Sequence, residues 1–300
     1  MSETNKYLKA SIKEIRNFFD NSTNPPEDMY LNLILELKVS NLMLPAIFDG
    51  EHISFPHVEI DGETTLLPLF TSEEEMGKYS KDFFSFNNEI AYFVKIVQDF
   101  KLDGVLIDMM SDEFCIDTEL LEKIPIATEK ITGKGLDGAK LREIAFKEKN
   151  RSLKRFIRKD SNFNKFDKLS KLLVKSVLLN VVVSDEDISG LARDGVIDRQ
   201  ESDTFTMFTT KSGREHYGAV YTDIDAISEF HDTLDYFYYA QVTNKFRVFN
   251  FILSHDLDGL IINPGTDEYY VPRQVLLHMA DDDLMNPDFE DATRYAFPVK

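Results

Sequence analysis

Apolar residues recur at helical spacing near the start of the chain. Tyr7, Leu8, Ile12, Ile15, Phe18 and Phe19, with Lys and Glu between them, predict an amphipathic helix over residues 3–20. The breaker-rich run Asn21 to Pro26 ends it. Proline suits a first helical turn, so a second helix is expected over 27–40, burying Leu31, Ile34, Leu35 and Leu37. The pattern then shortens to strands over 42–48, 53–60 and 66–70, with turn signals at Asp49-Gly50 and Asp61-Gly62. Pro45 marks the first of these as an edge or a bulge. Thr71-Ser72 followed by Glu73, Glu74 and Glu75 reads as a helix cap with acids at the positive end. Helical spacing returns near the end of Glu89 to Phe100, whose start could equally be a strand, and Gly104 is placed for a left-handed cap. Val105-Leu106-Ile107 reads as a buried strand and Phe114-Cys115-Ile116 as the strand that follows it.

The same pattern returns later in the chain. Residues 102–121 and 257–276 align without a gap at an offset of 155, with seven identities, among them Leu102/Leu257, Asp103/Asp258 and Gly104/Gly259. An internal repeat of this kind predicts tandem domains. Residues 203–209 match the strand ending at Phe70-Thr71, and Tyr217 matches Tyr79, both near an offset of 138. The second copy then needs seventeen extra residues between Gly218 and Asn244. Residues 125–165 have no counterpart and are expected to form a loop and a basic helix over 139–159. The expected boundaries are a first copy over 1–125 with an extra N-terminal helix, a linker over 126–164, a second copy over 165–280 and an acidic tail over 281–300.

Composition changes this picture in three ways. With 43% apolar residues, 24 Phe and 12 Tyr, the chain is rich enough to pack two cores. A single cysteine excludes an internal disulfide framework and fits a reducing compartment. A start without an apolar leader, and the lack of any long apolar run, predict a cytoplasmic protein with no membrane partner. The net charge of −19 argues against DNA binding. Between Lys134 and Lys175, however, fourteen basic residues meet five acidic ones, a local excess of +9 that leaves −28 on the rest.

The runs Leu69-Phe70-Thr71-Ser72 and Gly259-Leu260-Ile261-Ile262-Asn263-Pro264-Gly265 resemble the N-terminal domain of the SseB (enhanced serine sensitivity) family. The resemblance is best at 257–277, weaker at 66–80 and 102–121, and would cover both halves as a tandem pair. It implies small α/β units and supplies no catalytic residues. The first copy departs from it, with Asp108-Met109-Met110 in place of Asn263-Pro264-Gly265. Pro second and Gly third suit a type II turn, so 263–265 is a candidate interaction element.

Candidate chemistry is sparse. Gly133 to Gly138 fits G-x-G-x-x-G but does not follow the first strand of a parallel unit, so no nucleotide cofactor is expected. The acid pairs Asp112-Glu113 and Asp267-Glu268 fall at strand starts, where neighbours point to opposite faces. His255 and His278 lack metal-ligand spacing, and the calcium-like run from Asp185 has Val196 where the bidentate glutamate belongs. Cys115, mid-strand, is expected to be buried and inert. The basic segment, through Arg142, Lys147, Lys149, Arg151, Lys154, Arg155 and Arg158, is either an internal brace or a docking helix for an acidic partner or RNA.

The sequence therefore predicts an α+β protein of two tandem repeats, each a mixed or mostly antiparallel sheet with packed helices, joined by a basic helical linker. Catalytic, cofactor and metal sites are expected to be absent. The expected role is a protein–protein interaction or adaptor module with a partner yet to be identified, the competing one an enzyme or small-ligand binder using a cleft between domains.

Overall fold

The structure, a computed structural model, describes residues 5–21, 24–48, 50, 52–80, 83–111, 113–124, 136–159, 166–198, 206–279 and 292–299. The chain divides into two compact units, residues 1–128 with 254–256 and residues 129–253 with 257–300. The described residues form eleven α-helices and four sheets with parallel and antiparallel pairs, an α+β fold.

The first unit runs α1 (Lys6–Asp20), α2 (Glu27–Val39), β1 (Asn41–Phe48), β2 (Ile53–Ser54), β3 (Val58–Ile60), β4 (Thr64–Leu69), α3 (Glu73–Tyr79), β5 (Phe84–Glu89), α4 (Ile90–Phe100), β6 (Gly104–Ile107), β7 (Phe114–Asp117) and α5 (Thr118–Leu121). One sheet has the order β3-β4-β6-β7, with β4 and β6 parallel and the outer pairs antiparallel. The other, β2-β1-β5, is antiparallel. Met43 and Phe70 join them through two backbone hydrogen bonds of 2.8 Å. Leu8, Ile12 and Ile15 of α1, Leu33 and Leu37 of α2 and Phe93 of α4 pack on Leu42, Leu69 and Val105 of the sheets. Each such side chain contributes about 1.5–3 kcal/mol before entropy is counted.

The second unit runs α6 (Gly138–Lys147), α7 (Arg151–Lys159), α8 (Phe166–Lys175), β8 (Leu179–Ser184), β9 (Ile197–Asp198), β10 (Thr206–Met207), β11 (Thr209–Ser212), β12 (Glu215–Val220), α9 (Ile224–His231), β13 (Phe237–Val242), α10 (Lys245–Ser254), β14 (Gly259–Ile262), β15 (Tyr269–Pro272), α11 (Arg273–Met279) and β16 (Tyr295–Pro298). Its sheet β11-β12-β14-β15 has the strand order and senses of β3-β4-β6-β7, again with the inner pair parallel. Leu66 pairs with Gly104 in one unit and Tyr217 with Gly259 in the other. Leu179 and Tyr221 exchange the bonds that Met43 and Phe70 exchange in the first unit. The second sheet is larger, β10-β8-β13-β16-β9.

Several expectations need correction. The segment opposite Thr64 to Ser72 is Glu215 to Asp223, an offset of 151, so most of the surplus falls between β8 and β12 and only four residues of it between β12 and β13. The basic segment is two helices, and Leu141 and Ala145 of α6 lie in the second unit's core with Tyr238 and Ala240. The acidic tail, where described, ends as β16, with Ala296 and Phe297 fully buried. Residues 280–291, which carry most of its acids, lie outside the described residues. Leu31 is exposed, and Leu33 and Glu36 take its expected place beside Leu37.

Gly104 and Gly259 are not left-handed caps. That conformation belongs to Lys101 (φ 54°), which ends α4, and to Asp256 (φ 52°) after α10. The glycines instead begin strands, where a Cβ would lie 2.1 Å from the Ile116 carbonyl oxygen or 2.3 Å from that of Val271. Pro45 lies inside β1, between two partner strands. Because Met43 bonds to Phe70, the backbone of Pro45 two residues on turns away from β5, so its missing N–H interrupts no β1–β5 bond.

Candidate functional site

Each unit gathers buried polar groups where its two parallel strands end. The chain leaves the first of these strands through Thr71 or Thr222 and the second through an Asx residue at positive φ, Asp108 (46°) or Asn263 (52°). Asn and Asp tolerate this backbone because their short side chains bond locally. Asp108 accepts from the Thr71 N–H at 2.9 Å and from its hydroxyl at 2.5 Å. Asn263 accepts from the Thr222 N–H at 2.9 Å, and its Nδ2 donates to Thr222 Oγ1 at 3.0 Å.

A second asparagine completes each cluster. Asn5 Nδ2 donates to the carbonyls of Asn41 and Thr71, both at 2.8 Å. Asn150 Nδ2 donates to those of Val177 at 2.6 Å and Thr222 at 2.8 Å. Both asparagines have positive φ and each precedes a helix, α1 or α7. α7 thus follows Asn150 in the second unit as α1 follows Asn5 in the first. The residue after each threonine caps a helix: Ser72 Oγ accepts from the Glu75 N–H at 3.2 Å, and Asp223 Oδ1 from the Ala226 N–H at 3.1 Å.

The clusters differ in charge. In the first unit, burial pushes the Asp108 carboxyl up, against the pull of the two Thr71 bonds. Burial also works to raise Glu75, but bonds from Lys78 at 2.7 Å and Ser111 at 2.6 Å, with the charges of Lys78 and Lys9, hold it below its ordinary value. Two neighbouring carboxyls pushed apart are the raw material of acid–base chemistry. Here, however, both oxygens of Asp108 and both of Glu75 already accept bonds from within the fold. In the second unit Asn263 removes one charge, and the fully buried Asp223 pairs with Lys154 of α7.

His231 is another buried titratable group. Its Nε2 meets Tyr221 Oη at 2.5 Å and its Nδ1 meets Tyr236 Oη at 2.7 Å, with Phe208 and Phe230 packed against the ring. Burial lowers its pKa to about 4 and raises that of Tyr236 to about 12. An unfolded chain takes up this proton below the ordinary value of 6.5 and the fold only near 4, so stability falls as pH drops through that window. The expected loss is about 3 kcal/mol between pH 7 and pH 4. Denaturant unfolding across this range should show that slope, and His231→Phe should flatten it.

The predicted residues have the following places. The Pro264-Gly265 turn forms as expected, with Gly265 at φ 78° and a bond from Thr266 N–H to Asn263 O at 3.3 Å, but Asn263 and Pro264 are buried. Lys149 pairs with Asp225 at 2.8 Å, Arg158 with Asp267 at 2.6 Å, and Lys147 with Glu143 at 2.5 Å. The Arg142 guanidinium lies over the Phe146 ring at 4.7 Å. Arg151 and Arg155 are exposed. Asp267 thus faces α7, while Glu268 turns back to accept from the Gly265 N–H at 2.6 Å, so the pair does not converge. Asp112 and Gly133 to Gly135 lie outside the described residues.

Cys115 is exposed rather than buried, because β7 is an edge strand with Phe114 and Ile116 turned inward. Its thiol lines a groove of about 550 Å³ with Phe19, Tyr30, Leu31 and Ile34. Burial and the nearby Asp117 and Glu113 charges raise its pKa, which disfavours a thiolate nucleophile. Among the described residues no cluster of three or more His, Cys, Asp or Glu is arranged to hold a metal, and no helix is long and apolar enough to cross a membrane.

A third feature is apolar and open. Phe48, Ile53 and Phe84 are 55%, 60% and 65% exposed. Phe48 pairs with Ile53 across β1 and β2, and Phe84 pairs with Ala46 across β1 and β5. Cross-strand partners share a face, and Ala46 and Phe48 are two residues apart, so the three side chains form one patch. No protein-family model, curated protein or solved structure matches this chain.

Proposed function

We propose that this chain is a non-catalytic cytoplasmic adaptor built from two tandem SseB-like domains, and that it binds another protein through the sheet end of its first unit. The patch of Phe48, Ile53 and Phe84 carries this reading, because exposed contiguous apolar surface of this kind favours a partner over water. The duplication is supported by the matched strand order, the paired Thr–Asx contacts and the paired asparagines of the two units. A structural role for the polar clusters is supported by their internally satisfied oxygens. Lys149 and the α7 cations Lys154 and Arg158 act as a brace within the second unit.

The test uses the purified chain as bait in a native lysate beside a Phe48→Asp/Phe84→Asp variant of unchanged circular dichroism. A protein recovered in stoichiometric amount by the first and lost by the second is the expected result. Equal recovery by both, or recovery of small molecules alone, would refute the assignment.

A further inference from the structure

The two units treat one strand differently. In the second unit β13 lies inside its sheet, with β8 on one side and β16 on the other. Its counterpart in the first unit is β5, which pairs with β1 as β13 pairs with β8. Among the described residues no strand pairs with the other edge of β5. Register makes the comparison residue by residue. Met43 and Leu179 hold the same bridge, so Phe84 stands where Tyr239 stands and Ser85 where Ala240 stands. Tyr239 is 2% exposed, covered by Ala296 of β16 and Ile197 of β9, whereas Phe84 is open.

The hydrogen-bonding direction of the edge follows from the same bridge. Met43 bonds to Phe70, so Leu42, Leu44 and Ala46 turn their backbone groups toward Asn88, Phe86 and Phe84. The N–H and C=O of Ser85 and Asn87 then point to the open edge, while the Glu89 N–H is taken by the Asn88 side chain at 2.9 Å. The same alternation in the second unit turns Ala240 outward, where it pairs with Phe297 of β16. Open edges of this kind recruit extended chains.

We infer that β5 accepts an extended segment of another protein as an added antiparallel strand, in the position that β16 holds on β13. This rests on the adaptor reading and names the chemistry of its partner. The register of β16 sets the pattern: a proline opposite Phe84 and an aromatic residue opposite Ser85, as Pro298 and Phe297 lie on Tyr239 and Ala240, with a small residue such as Ala296 next in line toward Phe86. Exposed Glu89 closes the far end of β5 and the chain carries −19, so a basic residue precedes the apolar run, as Arg294 precedes Tyr295. The added strand extends the face that already holds Phe84, Phe48 and Ile53.

A fluorescent peptide with the sequence of residues 294–299 is the probe, titrated onto the full chain with hydrogen exchange as a second readout. Saturable binding with slowed exchange at Ser85 and Asn87 is expected. Ser85→Pro should weaken it by about tenfold or more, since the outward N–H is lost while the bonds to β1 remain. Asn87→Pro serves as a second variant, each checked for native circular dichroism. Absence of saturable binding, or binding unchanged in both variants, would overturn the proposal. Protection at β13 instead of β5 would do so too, as would a concentration-dependent dimer protected at β5 without peptide, which assigns the edge to a second copy. A lysate partner lost in Phe48→Asp/Phe84→Asp but kept in Ser85→Pro would leave the adaptor standing and remove strand addition.

Discussion

Valine in place of Gly259 should destabilise the second unit by about 3 kcal/mol or more, above the usual range for an overpacked side chain. The obstacle is backbone: the new Cβ would sit 2.3 Å from the Val271 carbonyl oxygen and 3.3 Å from the Arg273 nitrogen. Neither can yield without opening the β14–β15 ladder, whose register pairs Gly259 with Pro272. Gly104→Val meets the Ile116 carbonyl oxygen at 2.1 Å and should behave alike in the first unit. Chemical denaturation read separately for each unit is the measurement. Equal, small losses below about 1 kcal/mol would mean that the ladders bend easily.

Lys154→Met should be nearly as costly. Asp223 is fully buried, and although it caps α9 and meets the Thr222 hydroxyl at 3.2 Å, Lys154 is the cation paired with it. Breaking a buried pair from one side typically costs about 3–5 kcal/mol, because a charge is left without compensation. The double variant Lys154→Met/Asp223→Ser should recover much of the loss, since Ser72 performs the same capping in the first unit without a charge. A double variant no better than the single one would show that packing of the lysine stem, rather than charge, is what matters.

The sequence carries much of the fold and little of the sites. The offset of 155 places β6 with β14 and β7 with β15, because buried strands of four residues tolerate few exchanges. The match at offset 138 misplaces β12, since Glu215 to Val220 shares almost no residue with Thr64 to Leu69 and only Thr222 repeats Thr71. β5 is hard to read for a physical reason. Phe-Ser-Phe-Asn-Asn-Glu lacks the apolar continuity of a buried strand because its strand is an open one. The buried Asn5 and Asn150 are illegible because hydrogen bonds to carbonyls distant in sequence leave no local pattern. Asp108 and Asn263 are aligned by the repeat, yet their shared left-handed backbone, not shared charge, is what the position demands.

The place of β16 sets an order of events for a chain growing from its N-terminus. Every strand of the first unit's two sheets lies between residues 41 and 117, so these sheets can close soon after β7 emerges. The second unit cannot do this, because β16 stands between β13 and β9 and joins residues a hundred positions apart. Until residue 298 is made, Tyr239 and the outward groups of Ala240 face water, and the half-built sheet has the same bare edge that β5 keeps. Among the described strands, β5 and the unfinished β13 are then both open edges, and β16 is the strand that closes the second.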